Sequence, residues 1–202
     1  MTARIGALLW IGSAVCYFVA EAVSAAALDT YRYATDLVST LGDPARSPHA
    51  ALMNAAFATQ AIVFPVGAWL VVRAVRARRA VPFMSLVACN GVGNLLVAAV
   101  PSGSGSAWHG VGAAMALMGG NAAVLAGSSV LRSAVAAPAY RAVSIALGVF
   151  GLLCLVAVGF GLSPIGAWER GSVYVIYAWQ VVTAVVVIRH VPSRKRGSGQ
   201  PG

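Results

Sequence analysis

A chain of 202 residues that is 59% hydrophobic and only 9% charged, with a mean hydropathy of +0.82, carries more apolar surface than one small water-soluble core can bury. A net charge of +9 would point to nucleic acid in a soluble protein, but here the charges gather at the ends of apolar runs and nucleic acid is not an expected partner. What remains is an integral membrane protein.

A bilayer core of about 30 Å takes roughly 20 apolar residues per helical span. The chain divides into six such runs, residues 5–27, 50–72, 83–100, 109–131, 143–162 and 171–188. The expected fold is all-α, a six-transmembrane-helix bundle forming one domain over residues 1–190, followed by a disordered basic tail over 191–202. Arg4, the cluster Arg73, Arg76, Arg78 and Arg79, then Arg132, Arg141, Arg189, Arg194, Lys195 and Arg196 stand at alternate ends of the runs. The positive-inside rule makes that side cytoplasmic and places both termini there. The opposite side keeps Arg32, Arg46 and Arg170 beside Asp29, Asp36, Asp43 and Glu169. Arg4 followed by an apolar run ending in small residues also resembles a cleavable secretory leader. The length of the run and Glu21 within it favour a retained first span. Cys16, Cys89 and Cys154 fall inside spans with neither metal-ligand nor disulfide spacing.

The first helix aligns Tyr17, Glu21 and Ser24 on one face at 3.6 residues per turn. Glu21 would lie about 9 Å below the outer end, where a carboxylate is costly unless protonated, paired or hydrated. It either bonds a neighbouring helix and fixes packing, or serves as an acid, ion ligand or proton carrier. In the outer loop, 28–48, Tyr31 and Tyr33 suit headgroup depth. Residues 34–41 suggest a short amphipathic helix stopped by Gly42 and Pro44. Pro48 would occupy the first turn of the second helix, with Ser47 as its cap.

On the second helix His49, Met53, Ala56 and Gln60 share a stripe, Asn54 lies on another, and Pro65 is a candidate kink. The basic turn that follows is expected to set topology and touch anionic lipid. Asn90 and Asn94 in the third span read first as hydrogen-bonding glue between helices and second as pocket lining. The turn PSGSGSAW lacks the GK[ST] ending of a phosphate loop. The fourth helix opens at His109, whose stripe runs through Gly112, Ala116, Gly119, Ala123 and Gly127, small residues that let helices approach closely. His109 is thereby aimed into the bundle, either as a structural group or as a titrating imidazole. The fifth span reads as lipid-facing support. Before the sixth, Glu169 and Arg170 stand at an outer entrance, and Arg170, Tyr174 and Tyr177 form one face. The Arg170 fork suits a carboxylate or a phosphate head group.

The order YxxxxDxVSxLG from Tyr31 to Gly42, SPxxxxMN from Ser47 to Asn54, Pro101 followed by His109, and finally Glu169–Arg170 resembles the bacterial six-transmembrane family catalogued as domain of unknown function 998. That resemblance covers nearly the whole chain. It implies an intact six-helix protein of the bacterial cell membrane with polar residues gathered at one face, and it implies no activity.

Three functions fit the residues. One is binding or transport of a lipid or small amphipathic molecule in an outward-facing polar pocket, with Ser39, Asn54, Glu169 and Arg170 as ligand contacts and His109 beside them. Another is an outer-face enzyme acting on a lipid-linked or isoprenoid substrate, with Glu21 or Asp36 as acid and His49 or His109 as base. The third is a scaffold without a ligand. Membrane lipid is the expected partner of all three. No metal or cofactor is expected, because HExxH is absent and the histidines sit too near the rim for a buried haem.

Overall fold

The computed structural model describes residues 2–131 and 139–190. Arg132 and the tail 191–202, with its expected disorder, lie outside the described residues. Six long helices dominate: α1 Thr2–Ala26, α2 Ala50–Val75, α3 Val81–Ala99, α4 Ala107–Val130, α5 Tyr140–Gly159 and α6 Ile165–His190. Each is long and apolar enough to cross a membrane, and among the described residues there is no strand. The protein is a multi-pass membrane protein. Helices are the form its spans must take, because a bilayer offers no water to backbone N–H and C=O groups and each segment must satisfy its own.

Consecutive helices pack side by side and α6 returns against α1, with α4 also touching α6 across the ring. One end of the bundle carries the acidic loop between α1 and α2, and the other carries the arginine-rich turn between α2 and α3. The outer surface is covered by exposed apolar side chains such as Leu8, Ile62, Leu95, Met118 and Leu153. That is the pattern of a lipid-facing rather than a water-facing exterior. α5 is the least enclosed span, 28% buried against 39–50% for the others, in keeping with a supporting role at the lipid boundary.

The helices meet where side chains are small. Along α4, Gly112, Ala116, Gly119, Ala123 and Gly127 are all buried, so the small-residue stripe does face the bundle. A Cβ on Gly93 of α3 would fall 2.6 Å from the Gly112 carbonyl oxygen, and one on Gly119 would fall 2.8 Å from the Asn90 nitrogen. Two backbones therefore lie in direct contact. α2 continues through Pro65. The Ala61 carbonyl, which Pro65 cannot serve as a donor, lies beside Gly91, where a Cβ would come within 2.7 Å of it. At the basic end Trp10, Phe64, Phe83 and Trp179 form an aromatic cluster with centroids 5.8–6.4 Å apart.

Four local expectations are corrected. Residues 34–41 do not form an amphipathic helix: the chain turns, then runs as a 3-10 helix over Val38–Gly42, all five residues buried. Ser47 does not cap α2. The helix starts two residues later than Pro48 would set it, with His49 at the N-cap position and no side-chain cap, while the Ser47 hydroxyl is buried without a partner. The last helix begins at Ile165, six residues before the expected 171, so Glu169 and Arg170 lie within it and are buried rather than standing at an entrance. His49, placed before the helix with φ −110 and ψ 28, leaves the stripe of Met53, Ala56 and Gln60 and is exposed.

Candidate functional site

Two adjacent residues of α6 organise the acidic end. Successive positions on a helix diverge by about 100°, so Glu169 and Arg170 face different neighbours. Arg170 turns toward α1, where its Nε donates to Glu21 Oε1 at 2.9 Å. Tyr174, one turn further on, donates its hydroxyl to both Glu21 oxygens at 3.0 Å. Both members of the ion pair are buried, and a pair in such a place is held together because either charge alone would be strongly disfavoured.

The remaining Arg170 donors fasten the loop. Nη1 donates to the carbonyl oxygens of Asp36 at 3.0 Å, Gly166 at 3.1 Å and Tyr33, and Nη2 donates to the Tyr31 hydroxyl. Tyr31 in turn donates to the Leu37 carbonyl at 3.1 Å. Burial pushes the Tyr31 phenol up, against the pull of the guanidinium, so it keeps the proton that this bond uses. The guanidinium also stacks over the Tyr33 and Tyr31 rings at 4.6 and 5.4 Å. Gly166 lets the loop lie directly on α6: a Cβ there would meet the Tyr33 carbonyl oxygen at 2.8 Å.

Glu169 looks the other way. Its Oε2 accepts the backbone N–H of Val38 at 2.5 Å, which holds the 3-10 segment over the centre of the bundle. Beneath that segment lies a cavity of about 50 Å³ bounded by α1, α2, α3, α4 and α6. Its polar lining is Tyr17, Ser39, Gln60, Asn90, Asn94 and Glu169, and its apolar wall includes Phe57, Val97, Leu117 and Val173. Three of the lining groups have no hydrogen-bond partner: the Tyr17 hydroxyl, Gln60 Nε2 and Asn90 Oδ1. The opposite ends of the two amides are occupied, since Gln60 Oε1 accepts from Ser13 at 2.8 Å and Asn90 Nδ2 donates to the Ala116 carbonyl at 2.7 Å. Each amide is thus anchored to a neighbouring helix by one end and has its other end unpaired. Buried polar groups are rarely left unpaired, because each costs about 1–3 kcal/mol.

A family model described as protein of unknown function (DUF998) matches residues 10–186. The chain belongs to that family. No curated protein and no solved structure matches it. Several residues of the motifs noted in the sequence meet at this end. Tyr31 and the Asp36 carbonyl bind Arg170, Val38 binds Glu169, and Ser39 lines the cavity. Asn54 donates its amide to the Gly42 carbonyl at 2.9 Å, which fixes the far end of the 3-10 segment to α2.

Of the residues singled out from sequence, Glu21, Asp36, Ser39, Glu169 and Arg170 are brought together, and Asn54 supports them from the loop side. Asp36 contributes its backbone. Its carboxylate accepts the Arg32 N–H at 2.7 Å and closes the local turn. The histidines do not join. His49 is exposed and offers only its carbonyl, to Ser24 at 3.4 Å. His109 is not a cavity-lining residue. Its Nδ1 bonds the Val100 carbonyl at 2.7 Å, across the turn between α3 and α4, so the grouping of His109 with Arg170 and Glu169 is not formed. Among the described residues no three His, Cys, Asp or Glu side chains gather as a metal ion would require. The cavity residues absent from the sequence-derived site are Tyr17, Gln60, Asn90 and Asn94. The signal available for them was a polar side chain inside an apolar span.

Proposed function

We propose that the protein binds a small amphipathic molecule, as a membrane carrier or receptor, with the polar group of the ligand held in the cavity beneath the 3-10 segment. The observation that carries this reading is that three residues lining one cavity, Tyr17, Gln60 and Asn90, each keep a buried polar atom without a partner. The mixture of polar and apolar walls suits an amphiphile. Size narrows the ligand: one water needs about 10–15 Å³, so a cavity of about 50 Å³ suits a head group or a short molecule rather than a whole lipid. The Arg170 fork, whose shape suits a phosphate, is already filled by Glu21, Tyr31 and loop carbonyls. Its role in this reading is to hold the cover of the cavity in place.

Native mass spectrometry of the protein released from its own membrane tests the reading. Wild type is expected to retain a specific small passenger, and Asn90→Leu, which fills the space and removes the free acceptor, is expected to lose it while staying folded. A wild-type protein that carries no passenger, or a passenger retained equally by Asn90→Leu, contradicts it.

A further inference from the structure

The charges around the cavity do not balance, and the imbalance has a sign. Four charged side chains are buried at this end of the helices, Glu21, Asp43, Glu169 and Arg170, and of these Glu169 alone lines the cavity. The one ion pair among the described residues joins Arg170 to Glu21, which leaves Glu169 with no cationic partner. Its carboxylate has a single named donor, the Val38 N–H, although an ionised carboxylate accepts about four hydrogen bonds. The residue lines the cavity. Of the unpaired groups there, Asn90 offers a free carbonyl oxygen, Gln60 Nε2 a free donor, and the Tyr17 hydroxyl serves as either. Three aromatic residues, Tyr17, Phe57 and Tyr177, line the same space, and aromatic rings attract a cation. No Lys, Arg or His lines it.

We infer that the group taken up in this cavity is a small monovalent cation, free or as the ammonium end of an amphiphile, with the Glu169 carboxylate as its counter-charge. This rests on the binding reading above and assigns its chemical class. Anions are excluded by Glu169 itself, since a like charge in a water-poor site is strongly disfavoured. Because Glu169 also holds Val38, a bound cation and the cover of the cavity share one carboxylate.

The test uses the full chain in nanodiscs of neutral phosphatidylcholine, titrated with sodium, dodecylammonium, dodecanol and dodecanoate, with affinity read by calorimetry. Dodecylammonium or sodium is expected to bind wild type more tightly than the neutral and anionic probes. Glu169→Gln, which keeps an acceptor for Val38, is expected to weaken the cation by about 30-fold or more. Asn90→Asp places a second carboxylate on the same cavity and is expected to tighten it, which carries the test should Glu169→Gln fail to fold. Binding of sodium alone identifies a free ion, and binding of dodecylammonium alone identifies an amphiphilic amine. Dodecanol or dodecanoate binding as tightly as the cations, with no effect of Glu169→Gln, overturns the cation assignment and leaves the binding reading standing. Binding of none of the four overturns both.

Discussion

Replacing Arg170 by leucine is expected to destabilise the protein by about 3–5 kcal/mol, the cost of removing one partner of a buried ion pair and leaving the other charge unmatched. The loss has two parts. Glu21 would keep only the Tyr174 hydroxyl, and the carbonyls of Tyr33, Asp36 and Gly166 would lose their common donor. Arg170→Lys is expected to recover little, because an ammonium is a compact point charge and cannot span those acceptors with a planar fork. Glu21→Gln is expected to cost less, since an amide still meets both Tyr174 and the guanidinium. The double change Glu21→Leu with Arg170→Leu should be less damaging than the sum of its parts, as expected for residues in direct contact. Unfolding in mixed detergent micelles, with limited proteolysis of the 27–49 loop, checks all four. An Arg170→Leu protein as stable as wild type would show that the network does not hold the loop.

Gly93→Val should be the other severe substitution, at about 3 kcal/mol, the upper part of the range for forcing extra methyl groups into packed interiors. The reason is what stands in the way. A Cβ at Gly93 would meet the Gly112 carbonyl oxygen at 2.6 Å and the Ala116 Cα at 2.8 Å, and these are backbone atoms that move only if α4 moves. Since α4 supplies Leu117 to the cavity wall and Ala116 anchors Asn90, the shift would reach the site as well. Gly12 provides the comparison: nothing lies within 4 Å of a Cβ there, so Gly12→Val should change thermal stability little. Equal effects at the two positions would mean that α3 and α4 do not pack as described.

Most of the fold is readable from the residues because the membrane imposes a simple rule, about 20 apolar residues per crossing with charges excluded. That rule misplaces the start of α6 for an instructive reason. It cuts a span at charged residues, and Glu169 and Arg170 are charged, yet both are buried in protein against Glu21, Tyr31 and Val38 rather than placed at the lipid boundary. The faces carrying Glu21 and Arg170 follow from helical spacing within each segment. Their meeting does not, because spacing says nothing about which helices become neighbours. The histidines show the same limit. His109 heads a stripe of buried small residues, but a carbonyl in the adjacent turn takes its ring nitrogen. His49 falls off its stripe because the helix begins just after it. The cavity was the least legible part. Asn90 and Asn94 read first as packing groups and second as pocket lining, Gln60 is only one position on a stripe, and it takes the arrangement of five helices to show that all three line one cavity and that two of them keep an unpaired end.

The most direct measurement is a density map of the protein in lipid at a resolution that shows bound small molecules. Non-protein density is expected between α1, α2, α3, α4 and α6, within hydrogen-bonding distance of Tyr17 Oη, Gln60 Nε2 and Asn90 Oδ1 and beside the Glu169 carboxylate. A map in which those three atoms bond one another and the space between them is closed would contradict it.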